Sequence, residues 1–492
     1  MGVVLSLDLG TTTFKAALCD DSGRLLARSS LPADSGMEFD AGDACDRALR
    51  VVAALVRDGG VPPREILAVA VASQRATVVP VGADGAASAP AMSWQDARAG
   101  DAAAEPAATL GAEHYRRVTG LPPSFLWSVS KILRFRRERP EAFARTGRFV
   151  LLHDWVLHAL GVEGFVTDVA NASLTGLLDV ARADWSDEIL DAVRLTRDRL
   201  SRVVASGTRV GSLSAVAAGA TGLEAGTPLV AGGGDQQCAA LGLGVVDPGR
   251  AALCLGTAAV VSCPVERPPE APRGGFFCTV HVAPGRWVLE GIHNAFGASL
   301  RWAAAALGLP GVEALEELAA AGASGGVRFV PHLAGAGSPE MDAGARAAFV
   351  GLGLEHDRRT LARAVFEGVA LETRRILESL GAGVPVDRLV VSGGASRGAL
   401  LIRLLADLTG RTLELCEEPD VTLVGAALLA WTGIGRFGDA REAALARAAD
   451  VGAIVAPALD AGARDRLYAG YAGSVGGLRS AAAGAAGRVG SS

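Results

Sequence analysis

At 492 residues, half of them hydrophobic, the chain exceeds what one core supports and predicts two large globular domains. A net charge of −6, from 47 basic against 53 acidic residues, offers no basic field for nucleic acid. No run approaches the roughly 18 apolar residues of a membrane span, and seven cysteines without a C-x-x-C pair read as reduced thiols of a cytoplasmic protein.

The residues ahead of Asp8 are too few for a signal peptide. Met1-Gly2 with Ser6 spells a myristoylation pattern, but Gly2 leads straight into a strand expected to be buried. Asn171-Ala172-Ser173 is a sequon without meaning in an unsecreted chain. Oligomeric state is not written in one sequence, which leaves a homodimer open.

The chain opens on an apolar run from Leu5 that stops at Asp8, turns at Gly10-Thr11-Thr12-Thr13, and resumes from Phe14 to Cys19. This is the pattern of two strands joined by a tight, hydroxyl-rich turn. Glycine admits close approach of a ligand to the backbone, and turn amides with threonine hydroxyls suit phosphate. Asp8, at the strand end, is placed to hold magnesium directly or through water. Taken alone, an ordinary buried hairpin explains the stretch equally well. A second copy decides between them: Ala251 to Ser262 repeats strand, Gly256-Thr257 turn and strand, 246 residues after Gly10. One hairpin per half predicts two related lobes facing across a cleft. Lys15, one of two lysines in a chain otherwise using arginine, lies beside the first turn as a point charge for phosphate.

Asp43 to Asp58 has helical periodicity, and Ile66 to Ala72 reads as a buried strand running into Ser73-Gln74-Arg75-Ala76-Thr77. Val78 to Val81 is a further strand, and Ser93 to Arg98 opens a helix after Pro90. Lys131 to Arg139 predicts a basic amphipathic helix with its arginines on a solvated face, stopped by Pro140. Leu151 to Leu160 is helical, and Asp184 to Glu188 supplies an N-cap with acidic residues behind it.

Thr227 to Gln237 is the sharpest stretch after the first turn. A buried strand ends in Gly232-Gly233-Gly234, then Asp235, then an apolar helix from Cys238 to Leu243. Missing side chains there make room for a ligand beside Asp235. Asp247-Pro248-Gly249 marks a boundary. Beyond it, Asn294 to Leu307 and Leu361 to Leu380 are helices. Strand Asp387 to Ser392 leads through Gly393-Gly394-Ala395-Ser396-Arg397-Gly398 into a helix from Ala399 to Leu408, the layout of a nucleotide site. Gly425-Ala426-Ala427 permits close helix packing, and from about Ser474 the Gly, Ala and Ser content predicts a disordered tail.

Two motifs fail on context. Gly433 to Gly438 spells G-x-G-x-x-G but follows a helix, and Gly322 to Gly326 spells G-x-S-x-G between a helix and a strand. There is no G-x-x-x-x-G-K-[ST], and the seven histidines lack metal-site spacing. What remains is two Gly-Thr turns, Asp8, and Asp235 after a glycine run. Phosphoryl transfer needs phosphate cradling, a metal and a base, and Asp235 fits the base, a part compatible with service as an N-cap. Gln74, Arg75, Trp94 and Asp96 supply the donors, acceptors and apolar plate that a polyhydroxy acceptor requires, although Arg75 reads equally well as an ion-pair partner.

From about Val3 to Phe437 the chain resembles the FGGY carbohydrate kinases of the actin-like ATPase superfamily. The resemblance is carried by Leu7-Asp8-Leu9-Gly10-Thr11-Thr12, Ser93 to Arg98, Gly233-Gly234-Asp235-Gln236-Gln237, Leu255-Gly256-Thr257 and Val391 to Ser396, with Phe329 to Leu333 and Ala364 to Ala370 in support. It implies two α/β, ribonuclease H-like lobes with mixed central sheets, ATP and Mg2+ between them, and Asp235 as base. Thr11, Thr12, Thr13 and Lys15 would then meet phosphates, as would Gly256 and Thr257. Gly297, Gly394 and Ala395 would lie by the nucleotide, and Gln74, Arg75, Trp94, Asp96, Asp235 and Gln236 by the substrate. The lobes would span 1–246 and 247–472, with 473–492 a flexible tail.

For the acceptor the likenesses divide. Ser73 to Val79, Trp94-Gln95-Asp96 and Asp235-Gln236-Gln237 are similar to glycerol kinase, yet Ala76 stands for a substrate glutamate and Leu126 or Trp127 for a substrate tyrosine. Losing a bidentate acceptor should cost glycerol about 1–3 kcal/mol. Phe125 to Phe143 and Phe165 to Asp187 are similar to xylulokinase, without its Met-His pair. Arg301 and Gly398 depart from a glutamine and an asparagine on the nucleotide side. The expectation is an ATP-dependent kinase for a primary hydroxyl of a small ketose, with a glycerol-like polyol second. A protein-binding actin-like or chaperone-like ATPase is the alternative of another class.

Overall fold

The computed structural model describes residues 2–34, 36–270, 274–381, 384–447 and 451–489. Strands β1 (Val3–Leu9) and β2 (Thr13–Cys19) pair antiparallel with Asp8 opposite Lys15 and Leu9 opposite Phe14, as the apolar runs predict. β3 (Leu25–Pro32) extends this meander, and its alternating exposure is that of a sheet edge. On the other side of β1 lie β4 (Ile66–Ser73) and β6 (Pro228–Gly234), both parallel and fed by helices, with the short strand β5 (Arg209–Ser212) at the far edge. The order is β5-β6-β4-β1-β2-β3. Helix α1 (Ala41–Asp58), capped by the Asp40 carboxylate, lays Ala48, Val51, Val52 and Leu55 on one face.

The second sheet repeats the plan. β7 (Gly249–Leu255) and β8 (Ala259–Val265) form the hairpin, β9 (Phe277–Val280) and β10 (Trp287–His293) extend it, and β11 (Val386–Ser392) and β12 (Thr412–Cys416) run parallel beyond β7. β13 (Val451–Val455) closes the order β9-β10-β8-β7-β11-β12-β13. Two copies of one mixed-sheet topology are what the duplicated Gly-Thr turn predicts. Gly433 to Gly438 begins at a helix end, and Gly322 to Gly326 joins a helix to a strand, so neither sits in its motif's context.

Helices α2 (Ser128–Glu138) and α3 (Asp235–Gly242) belong to the first half, and α4 (Phe296–Ala306), α5 (Arg358–Ser379), α6 (Ala399–Thr409) and α7 (Val421–Gly433) to the second. The halves interlock. α7 follows β12, yet Val424, Ala427 and Leu428 pack on Val4, Ala70 and Val230 of the first sheet. In return, Ala239 and Ala240 of α3 pack on Ala252 and Val390 of the second. The two helices touch backbone to backbone: a Cβ on Gly425 would sit 1.9 Å from the Cys238 carbonyl oxygen, and one on Gly242 would sit 2.1 Å from that of Val421. Small residues there serve close packing, as expected.

Two expectations are corrected. In α2 the solvated arginine face holds at Arg136 and Arg137, 30% and 50% exposed, but not at Arg134, only 5% exposed, and Lys131 is fully buried; these last two are held by partners described below. The tail expected from 473 begins inside a helix, α8 (Ala461–Val489), which buries Tyr471 and Val475. Tyr471 donates to the buried Glu372 carboxylate, so the segment is anchored by an aromatic residue that its Gly and Ala content hides. No described helix is long and apolar enough to cross a membrane.

Candidate active site

The site forms where the C-terminal ends of β1, β4 and β6 meet β8 and β10 across the cleft. At the first turn, a Cβ on Gly10 would stand 2.7 Å from the Thr13 carbonyl oxygen, so only glycine makes this bend. Thr12 is exposed and Thr13 half-buried, both open to a ligand. Thr11 is half-buried as well, and its hydroxyl is engaged within the protein: it donates to Gln74 Oε1 at 3.3 Å and accepts from Trp94 Nε1 at 3.0 Å. It ties the first turn to Gln74 and Trp94. Lys15 reaches across to Asp420 at 2.7 Å.

Asp8 is half-buried at the end of β1, with Oδ1 shielded from solvent. Its Oδ1 has no hydrogen-bond partner, and burial, reinforced by Asp235 and Asp420 against Lys15, pushes its carboxyl up to about 7. An orphaned carboxylate oxygen facing further acidic groups is a donor set in want of a cation. No cluster of three or more metal-ligating side chains exists among the described residues, so a cation here would rely on Asp8, water and a ligand's own oxygens.

β4 delivers Gln74 and Arg75. Gln74 Oε1 accepts from the Thr11 and Thr77 hydroxyls, which orients its amide. Ala76 follows in the left-handed region, φ 61°, a conformation that swings the chain away beneath the cavity. Arg75 meets Glu290 bidentately at 2.7 and 2.8 Å, and its Nε lies 3.3 Å from Asp235. Glu290, on β10, is wholly buried and accepts also from Thr279 at 2.9 Å and Gln237 at 3.2 Å.

The glycine run before Asp235 makes room for protein rather than ligand. A Cβ on Gly232 would meet Val71 O at 2.1 Å, one on Gly233 would meet Val282 at 2.5 Å, and one on Gly234 would meet Arg75 Cδ at 2.4 Å. Asp235 is the first residue of α3, with Gly234 in the cap position, and its carboxylate accepts from the Gln236 amide at 2.8 Å. Its side chain remains 30% exposed, toward the cleft. Burial raises its carboxyl above the usual range, with Arg75 opposing.

A cavity of about 160 Å3 opens beside it, lined by Gln74, Arg75, Trp94, Asp235 and Gln236, with Leu126, Trp127 and Phe277 among the apolar residues. Asp96 is not in that lining. It is fully buried, with Arg134 Nη1 at 2.5 Å and Arg98 Nε and Nη2 each at 2.8 Å, and it caps the turn Ala97–Ala102. Its carboxylate is consumed by arginines, so it fixes the loop that carries Trp94. Lys131 does the same for the opposite wall: its ammonium donates to the carbonyls of Phe125, Leu126 and Trp127, and burial pushes its pKa well below the ordinary lysine range.

In the second half, α4 caps the second turn: the Gly297 and Ala298 amides donate to Gly256 and Thr257 carbonyls, and Arg301 donates to Thr257 Oγ1 at 3.1 Å. A Cβ on Gly297 would lie 2.5 Å from Gly256 O, so this glycine is required for packing. Gly393, φ 99°, presses on Leu255, while Gly394 has open space around it and Ala395 is half-buried beside it. The helix that follows has one of its N-terminal amides occupied. Glu316 already accepts from the Leu400 amide at 2.6 Å, in the space left by Gly398.

Glu290, Gln237, Thr279, Arg134, Asp420 and Glu316 were not foreseen. Only Glu290 carries a local signal, a lone charge in the apolar strand Trp287–His293.

The profile of the FGGY family of carbohydrate kinases, N-terminal domain, matches residues 3–242, and that of its C-terminal domain matches 251–434. A glycerol kinase from Citrifermentans bemidjiense is 33% identical over 88% of this chain and 91% of its own length. An autoinducer-2 kinase from Klebsiella pneumoniae is 30% identical over 89% and 87%. A crystal structure of a xyloylose kinase from Brucella ovis superposes with a TM-score of 0.88 at 26% identity, covering 97% of this chain and 99% of that one. The chain belongs to the FGGY family of carbohydrate kinases, ATP-dependent enzymes acting on a sugar or polyol.

Proposed function

We propose that this kinase transfers the γ-phosphoryl group of ATP to a primary hydroxyl of a small ketose. The observation that carries the ketose is the cavity lining. Polar side chains come only from Gln74, Arg75, Asp235 and Gln236, while Ala76 and Leu126 line it without any hydroxyl-binding group. A ketose asks for donors at its carbonyl and an apolar plate for its carbon face, which Arg75, Gln236 and Trp94 supply. What disfavours glycerol is Ala76, which lines the cavity where a bidentate acceptor for two of its hydroxyls would stand. The second reading, a glycerol-like polyol, is supported by the Arg75, Trp94, Asp235 and Gln236 set and by the glycerol kinase relative. Family membership sets aside the protein-binding ATPase.

In the proposed mechanism Asp235 accepts the proton of the attacking hydroxyl, and its raised basicity suits that work. Arg75 and Gln236 hold the sugar against Trp94. Thr12, Thr13 and Lys15 of the first turn and Gly256 and Thr257 of the second would together fix the polyphosphate in line. The orphaned Asp8 oxygen fits Mg2+, which when bound would neutralise phosphate charge. Pentuloses, hexuloses, tetritols and glycerol, each with ATP, test the reading. A pentulose should give the highest kcat/KM with stoichiometric phosphosugar; glycerol turning over best would overturn it.

A further inference from the structure

Arg75 is the one cation among the side chains lining the cavity, and it does not come free to its substrate. Both of its Nη atoms are taken by a carboxylate from the other half of the molecule, Glu290 on β10, while β4 carries the arginine itself. Glu290 is in turn fixed by Thr279 Oγ1 and Gln237 Nε2 and has no solvent exposure. Three elements, β9, β10 and α3, thus converge to hold one carboxylate against one guanidinium. Fully desolvated and bidentate, this pair leaves Arg75 a single orientation, with its Nε toward Asp235. It also cancels the charge: Arg75 against Glu290 and Asp235 leaves the cavity with net negative character.

Resting on the kinase reading above, we infer that Glu290 is a positioning and specificity-determining residue, which holds Arg75 across the cleft and makes the cavity take uncharged sugars and reject aldonates. A free arginine beside a sugar site would pair with a carboxylate-bearing substrate. An arginine already neutralised from behind can offer its remaining N–H groups to a hydroxyl or ketone oxygen but gains no charge pair from an acid. Removing the Glu290 charge should therefore do two opposite things, weakening the neutral sugar and admitting the acid.

The test uses the full chain and two probes, D-xylulose and D-gluconate, with equilibrium binding followed by calorimetry and turnover with ATP. Wild type should bind and phosphorylate xylulose and ignore gluconate. Glu290→Gln should weaken xylulose binding by about tenfold or more, leave KM for ATP unchanged, and narrow the preference over gluconate. Glu290→Asp, which keeps the charge, should weaken xylulose but still exclude gluconate. Thr279→Val, which removes one hydrogen bond to Glu290 and the one that Gln237 donates to Thr279 but keeps the carboxylate, should shift xylulose binding in the same direction by less and keeps the test open should the glutamine variant fold poorly. A purely structural role would lower melting temperature and affect both ligands and ATP alike. Wild-type preference for gluconate, or a folded Glu290→Gln protein with wild-type xylulose binding, would overturn the proposal. Xylulose bound normally but never phosphorylated would instead overturn the kinase reading on which it rests.

Discussion

Gly425→Ala probes the contact on which the catalytic geometry hangs. The added methyl would fall 1.9 Å from the Cys238 carbonyl oxygen and 2.6 Å from its carbon, against an ordinary contact of at least 3.4 Å. Roughly 1.5 Å must be found by parting α3 from α7, and the opposing atoms are backbone, so no rotamer change relieves it. Overpacking of this kind costs about 1–3 kcal/mol, offset by about 1 kcal/mol of helix propensity gained on leaving glycine. The net expectation is a stability loss of about 1–2 kcal/mol. The larger effect is on rate. Cys238 is one turn along α3 from Asp235, so a displacement on the order of 1 Å at the proposed base should lower kcat by about a hundredfold. Gly219→Ala is the control. This exposed glycine within the helix Ala215–Thr221 has nothing within 4 Å of its added Cβ, so the same substitution should stabilise by about 0.5–1 kcal/mol and leave kcat alone. Denaturant melts and steady-state kinetics measure both. Gly425→Ala with undiminished stability and full kcat would refute the argument that this helix crossing positions Asp235.

Two further outcomes follow from the charges. Asp8 binds its proton more tightly folded, at about 7, than at the ordinary 3.8, so its contribution to stability is present in acid and lost as pH rises through 7. In chelator-treated protein, Asp8→Asn should therefore gain stability relative to wild type between pH 4 and pH 8, while losing turnover; a pH-independent difference in denaturant melts would contradict it. Arg134→Met strips the buried Asp96 of its closest partner and leaves Arg98, so stability should fall by about 3 kcal/mol and sugar KM should rise as the Trp94 loop loosens. A loss under about 1 kcal/mol would show that Arg98 alone suffices.

The sequence made the repeat legible because the same local rule operates twice: an apolar strand, a Gly-Thr bend and a second strand. Asp235 was legible because a carboxylate after three glycines is locally unusual. The glycines themselves were misread as ligand space, since Val71, Val282 and Arg75, which fill it, come from other strands. Asp96 was assigned to substrate for a related reason: its arginine partner in α2 is 38 residues away and carries no local mark of burial. Glu290 lies 215 residues from Arg75, beyond any periodicity or spacing argument. What the chain does locally could be read directly, whereas which side chain satisfies which partner required the fold.

The central claim, that Asp235 is the base of a phosphoryl transfer, is tested most directly by Asp235→Asn. Its product formation should fall by about a thousandfold while Mg-ATP binding, followed by calorimetry, stays close to wild type. Near wild-type phosphosugar formation by this variant would contradict the account.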